Sequence, residues 1–186
     1  MKAKICVIVT MLLIAWGLKR HYAGARADDL WWILSPVARM VGLVTRTHFA
    51  FQPGEGYFSR DRLFVIEKSC AGINFMIAAF AMLMLALLHR VESRLSAARL
   101  LSVSLLASYS AAVLVNAVRI AIAIWLGAHP AAWLAFNAAD VHRVEGITVY
   151  FGGLVLLYEI VQRLDRGVIL VGREVGGDAQ SVEAAR

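Results

Sequence analysis

The sequence predicts an all-α fold, a polytopic integral-membrane helix bundle of four or five transmembrane helices. Hydrophobic residues make up 60% of the 186 residues and charged residues only 17%, whereas an average soluble domain carries about a quarter charged residues. The mean hydropathy is +0.68. The basic residues behind the net charge of +6 collect between apolar runs, where membrane topology places them. We therefore expect a lipid bilayer around the chain and no nucleic-acid partner.

The first apolar run, residues 5–18, is short for a bilayer span, which takes about 20 residues. Its basic start and the small residues at 23–27 are typical of a cleaved signal peptide. The basic pair Lys19-Arg20 directly after the run is unusual for such a signal. We favour an uncleaved helix, and the cleaved signal is the open alternative.

The second apolar stretch, residues 30–51, is interrupted by Pro36 and by arginines. If it spans the bilayer, there are five helices with the N-terminus outside, which we slightly favour. If it lies on the membrane surface, there are four helices and the N-terminus is inside. Turn formers and a short extended run at 63–66 then predict a solvent-side loop that leads to Cys70.

Three later apolar runs complete the predicted bundle, at residues 72–88, 100–126 and 146–161. The arginines that follow the first and the third run mark the cytoplasmic side by the positive-inside rule; they are Arg90, Arg94, Arg99, Arg163 and Arg166. We expect one transmembrane domain over residues 1–166 and a weakly ordered cytoplasmic tail over 167–186.

Three chemically reactive side chains fall at one depth of this bundle. Counting about 1.5 Å per residue from the cytoplasmic ends of the runs places Cys70 about 27 Å, Arg119 about 28 Å and His142 about 30 Å away. The hydrocarbon core is about 30 Å thick. All three side chains are therefore expected near the outer interface, although equal depth does not show that they touch.

Cys70 stands at a predicted helix start between small residues, where the helix dipole and free N–H groups favour a thiolate. The alternative is a cysteine that acts only as a small buried hydrophobe, and we expect that role for Cys6. The two cysteines make no disulfide framework.

Arg119 lies in an otherwise apolar run, and charges inside a membrane tend to face the bundle interior. Asn116, Tyr109 and Ser102 continue a polar stripe on the same predicted helix face. A stripe of this kind indicates contact with other protein or a cavity, whereas the alternative for Arg119 is a side chain that snorkels to the interface.

His142 lies in a charged segment, and taken alone it reads as an ordinary interfacial histidine. Histidine is, however, the usual base for a cysteine nucleophile, and Glu145 or Asp140 is placed to orient its ring. No histidine or cysteine pair has the helical i, i+4 spacing of a metal site. We therefore expect no metal and no cofactor.

Three short motifs follow one another along the chain: Cys70-Ala71-Gly72-Ile73, Asn116-x-x-Arg119, and His142 ahead of the last span. Their order and spacing, over residues 30–162, resemble the exosortase/archaeosortase family. The small size and the wording Cys-Ala-Gly-Ile-Asn-Phe are most similar to its exosortase K branch. In the commoner exosortases the motif is Cys-Ser-Gly-Ile, often followed by arginine, whereas this chain has Asn74 at that position. The resemblance therefore does not imply a substrate signal of the PEP type.

The resemblance implies a membrane cysteine peptidase or transpeptidase that acts on peptide bonds. Its substrates would be exported proteins with a C-terminal sorting signal, which is a short motif, a transmembrane helix and a basic end. Cys70 would be the thiolate nucleophile, His142 the base and Arg119 the stabiliser of oxyanion or substrate, with Asn116 in support. The implied location is a bacterial cytoplasmic (inner) membrane, with the active site facing the periplasm or exterior.

The competing interpretation is a non-enzymatic membrane assembly or carrier protein whose polar stripe only packs helices. It predicts that Cys70→Ser and His142→Ala keep function. A serine intramembrane protease is disfavoured, because no serine has a sequence context comparable to that of Cys70, and Ser69 is the nearest candidate.

Overall fold

The computed structural model describes residues 2–61, 63–129 and 138–184, and it describes side chains for residues 3–61, 63–129, 140 and 143–167. Five α-helices and three short strands are present in these ranges. The helices are α1 (Lys2–Gly24), α2 (Trp31–Thr45), α3 (Ile73–Ala86), α4 (Arg94–Ala128) and α5 (Ala138–Ala184). The strands are β1 (Ala50–Gln52), β2 (Gly56–Ser59) and β3 (Phe64–Ile66).

Three segments of the described chain are long and apolar enough to cross a membrane: Lys68–Ala86, Arg94–Ala128 and Arg143–Gly167. Together with the helical content, they confirm the predicted all-α membrane helix bundle. The strands form only a small sheet. The chain is therefore a multi-pass membrane protein.

One end of the bundle is marked by an ion-pair cluster. Asp165 of α5 pairs with the guanidinium of Arg90, and its second carboxylate oxygen lies 3.3 Å from His89 Nε2. These ion pairs connect the segment that follows α3 to the part of α5 around residue 165. This agrees with the assignment of the arginines around both segments to one membrane side.

Helix α1 runs antiparallel to α3. Val7 and Met11 pack with Phe80 and Met84 near the end that carries Asp165, whereas Lys19 Nζ donates to Asn74 Oδ1 over 2.7 Å at the opposite end. The N-terminus therefore lies at the bundle end that carries Arg90 and Asp165. The four-helix alternative predicts the N-terminus on the side of these arginines, whereas the slightly favoured five-helix alternative predicts it on the opposite side. The number of crossings made by α1 and α2 stays a prediction.

Helix α2 buries one face against α4. Its buried residues recur at the three- and four-residue spacing of an amphipathic helix; they are Ile33, Leu34, Val37, Ala38 and Val41. Tyr109 of α4 donates its hydroxyl to the Trp32 carbonyl over 2.7 Å. The polar stripe predicted on α4 therefore reaches the interior at Asn116 and Tyr109, but Ser102 is exposed.

The predicted extended loop is a three-stranded antiparallel sheet in the order β1-β2-β3. Tyr57 pairs with Ile66, so β3 closes the sheet just before the cysteine motif. The Asp28 carboxylate accepts a hydrogen bond of 2.8 Å from the Gly54 amide, which ties the first hairpin turn to the start of α2. Pairing in the sheet thus fixes β3, the segment that leads directly to the turn with Cys70.

One further expectation changes with the structure, and another stays untested. Cys6 is exposed on α1 and is not a buried core residue, so the apolar run that carries it turns this residue outward. The tail prediction for residues 167–186 stays a prediction, because the side chains beyond Gly167 lie outside the described residues although α5 extends to Ala184.

Candidate active site

Cys70 is presented by a sharp turn between β3 and α3. The residues Lys68–Ala71 form a single 3₁₀ turn in which the Cys70 amide donates to the Glu67 carbonyl over 2.9 Å. Helix α3 begins at Ile73, so Ala71 and Gly72 separate the cysteine from the helix. The thiol is half-buried, and it therefore stands at the surface of the bundle end.

Gly72 makes this turn possible. Its φ is +66°, a left-handed conformation that residues with a Cβ rarely adopt. A Cβ built at Gly72 would also lie 3.2 Å from Asn116 Cγ, closer than ordinary van der Waals contact. Both the backbone conformation and the limited space therefore favour glycine here, and α4 comes very near the cysteine turn.

Asn116 of α4 joins the cysteine turn to α5. Its side chain is fully buried. The amide nitrogen donates to the Cys70 carbonyl oxygen, and the amide oxygen accepts a hydrogen bond of 2.8 Å from the Tyr150 hydroxyl. A buried amide with both ends paired is held in one orientation. Asn116 thus fixes the backbone beside the thiol.

Arg119 lies one helical turn further along α4, against Tyr150 and Glu145 of α5. Its Nη1 donates to the Tyr150 hydroxyl over 3.1 Å, and its Cζ lies 5.1 Å from the centre of the Tyr150 ring. Its Nε lies 3.8 Å from Glu145 Oε2, and the Glu145 side chain is only 6% exposed. The guanidinium therefore sits between an aromatic face and a buried carboxylate.

Two glycines let α5 approach α4 closely enough for these contacts. A Cβ at Gly146 would lie 3.1 Å from Arg119 Nε, and a Cβ at Gly153 would lie 2.8 Å from a methyl carbon of Val115. The glycines are about two helical turns apart and so share one face of α5. This face is what brings Tyr150 beside Arg119.

The structure therefore brings Cys70, Asn116 and Arg119 into one hydrogen-bonded cluster. Its links run from the Cys70 carbonyl through Asn116 and Tyr150 to the guanidinium of Arg119. These residues come from the cysteine turn, α4 and α5. The cluster lies at the bundle end opposite the Asp165 ion pairs.

His142 lies in the first turns of α5, three residues before Glu145. Residues at this spacing are neighbours on a helix surface, so the backbone places His142 at the same bundle end as the cluster. Its side chain lies outside the described residues. The distance between its imidazole and the Cys70 thiol is therefore not part of the described geometry.

Tyr150 is the functional candidate that the sequence reasoning missed. A tyrosine near the end of an apolar run reads as an ordinary interfacial aromatic residue. The available signal is its position eight residues after His142 and four after Gly146, which puts all three on one side of α5. Glu145 contacts Arg119, and the expectation that Glu145 or Asp140 orients the His142 ring stays a prediction.

Ser69, the rival nucleophile, is held by a neighbouring carboxylate. Its hydroxyl donates to Glu67 Oε1 over 2.7 Å and lies 3.8 Å from the Cys70 sulfur.

Within the described part of the chain, no group of three or more histidine, cysteine, aspartate or glutamate side chains is arranged to hold a metal ion.

The fold and this cluster define a class: a multi-pass membrane helix bundle with a cysteine, a half-buried arginine and a chain of hydrogen bonds between them at one end. The chain matches the family described as transmembrane exosortase (Exosortase_EpsH) over residues 55–159, more than half of its length, and it belongs to that family. The match includes Cys70, Arg119 and His142. No curated protein matches the chain, and no solved structure does.

Proposed function

We propose that this chain is a membrane cysteine peptidase or transpeptidase that processes C-terminal sorting signals of exported proteins. Membership of the exosortase family supports a sorting enzyme of the transpeptidase type. The observation that carries the proposal is the relay from the Cys70 carbonyl through Asn116 and Tyr150 to Arg119. It joins the backbone of the half-buried Cys70 to a half-buried guanidinium, so a nucleophile and a cation that could stabilise an oxyanion belong to one hydrogen-bonded cluster.

In the proposed mechanism, the Cys70 thiolate attacks the carbonyl carbon of the scissile peptide bond. His142 takes the thiol proton and later gives it to the leaving amine. Collapse of the tetrahedral intermediate breaks the C–N bond and leaves the substrate acyl group on Cys70 as a thioester. Water or an acceptor amine then attacks this thioester, and the free thiol is restored.

Arg119 is the proposed stabiliser of the negative charge that develops on the carbonyl oxygen. A guanidinium in a water-poor site is worth more to such a charge than it is in water. The contacts of Arg119 with Tyr150 and Glu145 fix its orientation before substrate binds. Asn116 supports the site because it holds the Cys70 carbonyl and, through Tyr150, the arginine.

The proposed substrates are exported proteins that end in a short motif, a transmembrane helix and basic residues. The proposed location is the bacterial cytoplasmic (inner) membrane with the site facing outward, because the arginine-rich loops favour the cytoplasmic side. The sequence Cys-Ala-Gly-Ile-Asn-Phe at residues 70–75 favours the exosortase K branch.

The test is co-expression with a tagged exported protein from the same genome that ends in such a signal. Intact-mass measurement of the exported protein reads out its cleavage. We expect processing with the native enzyme and with Cys6→Ala, and none with Cys70→Ala. Cys6 is the matched control because it is the second free cysteine and lies on α1. Equal processing by native enzyme and Cys70→Ala would contradict the nucleophile assignment.

A further inference from the structure

We propose that Tyr150 is a positioning residue that holds Arg119 and the cysteine turn at a fixed separation. This inference rests on the proposed function, since it assigns a role in the same reaction. Its physical basis is the hydroxyl group of Tyr150. That hydroxyl accepts from Arg119 Nη1 over 3.1 Å and donates to Asn116 Oδ1 over 2.8 Å.

The two bonds fix the direction of the phenol proton. The Arg119 guanidinium has only donors, so the phenol oxygen must accept from it and its single proton must go to Asn116. Asn116 Oδ1 is thereby occupied, and its amide nitrogen is directed at the Cys70 carbonyl. The relay therefore has one consistent polarity from the cation to the cysteine backbone.

The ring of Tyr150 also has neighbours from two other helices. One side contacts the guanidinium of Arg119, and Phe75 lies 5.5 Å away between ring centres. Phe75 belongs to α3, the helix that follows the cysteine turn. Tyr150 thus contacts α3 and α4 while it is carried by α5, and a shift of any one helix would move the arginine relative to the thiol.

Loss of the hydroxyl leaves the fold intact but removes the link. In Tyr150→Phe, the ring keeps its packing on Phe75, while Asn116 Oδ1 loses its donor and Arg119 Nη1 loses one acceptor. The Asn116 amide is then free to rotate away from the Cys70 carbonyl. We expect misalignment in the reaction step rather than in substrate binding.

Tyr109→Phe is the matched control for this variant. Tyr109 also donates a hydrogen bond from a half-buried hydroxyl, over 2.7 Å to the Trp32 carbonyl. It lies on α4 about two turns from Asn116, and its described hydrogen bond goes to α2 rather than to the cluster. Both substitutions therefore delete a phenol oxygen and the hydrogen bond that it donates, Tyr150→Phe within the cluster and Tyr109→Phe away from it.

The first measurement is the steady-state rate on a purified sorting-signal substrate. We expect Tyr150→Phe to lower kcat by about tenfold with KM changed less than about threefold, the loss of about one hydrogen bond in the transition state. Tyr109→Phe should stay within about twofold of native kcat. Equal kcat values for the two variants, or an effect on KM alone, would overturn the positioning role.

The second measurement does not need activity. Thermal unfolding in detergent is compared for Tyr150→Phe, Arg119→Lys and the double variant, and again with Tyr109→Phe in place of Tyr150→Phe. We expect non-additive midpoint shifts for the Tyr150 pair and additive shifts for the Tyr109 pair. Additive shifts in both pairs would overturn the contact itself. If Cys70→Ala and native enzyme process substrate equally, the proposed function fails, and this cycle still decides whether Tyr150 holds Arg119.

Discussion

Replacement of Gly72 by alanine tests how closely Asn116 is packed against the cysteine turn. The added Cβ meets two separate costs at this position. The first is the left-handed backbone, with φ at +66°; the second is contact at 3.2 to 3.4 Å with three atoms of the Asn116 side chain. The first cost arises from the local chain, and the second arises only because α4 is close.

The backbone cost is about 1–2 kcal/mol for a residue with a Cβ in the left-handed region. The displaced amide weakens its bonds to the Cys70 carbonyl and to Tyr150, and one typical hydrogen bond contributes about 0.5–1.5 kcal/mol. We therefore expect Gly72→Ala to lower the free energy of unfolding by about 2–3 kcal/mol. Processing should fall by about tenfold, because the turn that carries the thiol is moved.

Gly54→Ala separates the two costs. Gly54 has φ at +83° in the turn between β1 and β2, and a Cβ there meets nothing within 4 Å. It should therefore show the backbone cost alone, with processing within about twofold of native. The assay is reversible unfolding in mixed micelles for both variants, with processing measured in parallel. Equal destabilisation by the two variants, with equal processing, would refute the close packing of Asn116 on Gly72.

Three further outcomes follow from the same geometry. Asn116→Ala should cost about 1–3 kcal/mol of stability, because it leaves the hydrogen-bond partners of the amide unpaired. It should also reduce processing at least about tenfold, and native-like processing in the assay above would contradict this. Gly153→Ala should destabilise the protein by about 1–3 kcal/mol through overpacking, because the added Cβ would meet a Val115 methyl group. Gly152→Ala is the control, since a Cβ there meets open space. Equal unfolding midpoints for the two variants would count against the close approach of α4 and α5. Asp165→Asn should cost about 1 kcal/mol of stability and leave the processing rate unchanged, because the ion pairs of Asp165 lie at the bundle end opposite the cluster. A lower rate at equal protein level would contradict this and show that the two ends are coupled.

The bundle and the depth of the site were predictable because the relevant information is local. Apolar runs set the helices, and the arginines that close them define one side. Counting from that side placed Cys70 and Arg119 at one depth, because helices α3 and α4 have a regular rise. The structure adds that the two residues are linked through Asn116 and Tyr150, which equal depth does not predict.

The links made by Tyr150 and Glu145 were not predictable in the same way. Both depend on which face α5 turns to α4, and that is decided by the space left by Gly146 and Gly153. Glycines in an apolar helix also occur without such packing, so their spacing alone does not select a partner. The direction of α1 depends likewise on long-range packing and on the bond from Lys19 to Asn74.

The central claim is that Cys70 carries the substrate as a thioester. The most direct measurement is intact-mass and peptide mass spectrometry of the purified protein after brief incubation with a sorting-signal substrate. We expect an added mass equal to the N-terminal part of the substrate, located on the peptide with Cys70 and released by hydroxylamine. Processing without an adduct on Cys70, or an adduct located on Ser69, would contradict the account.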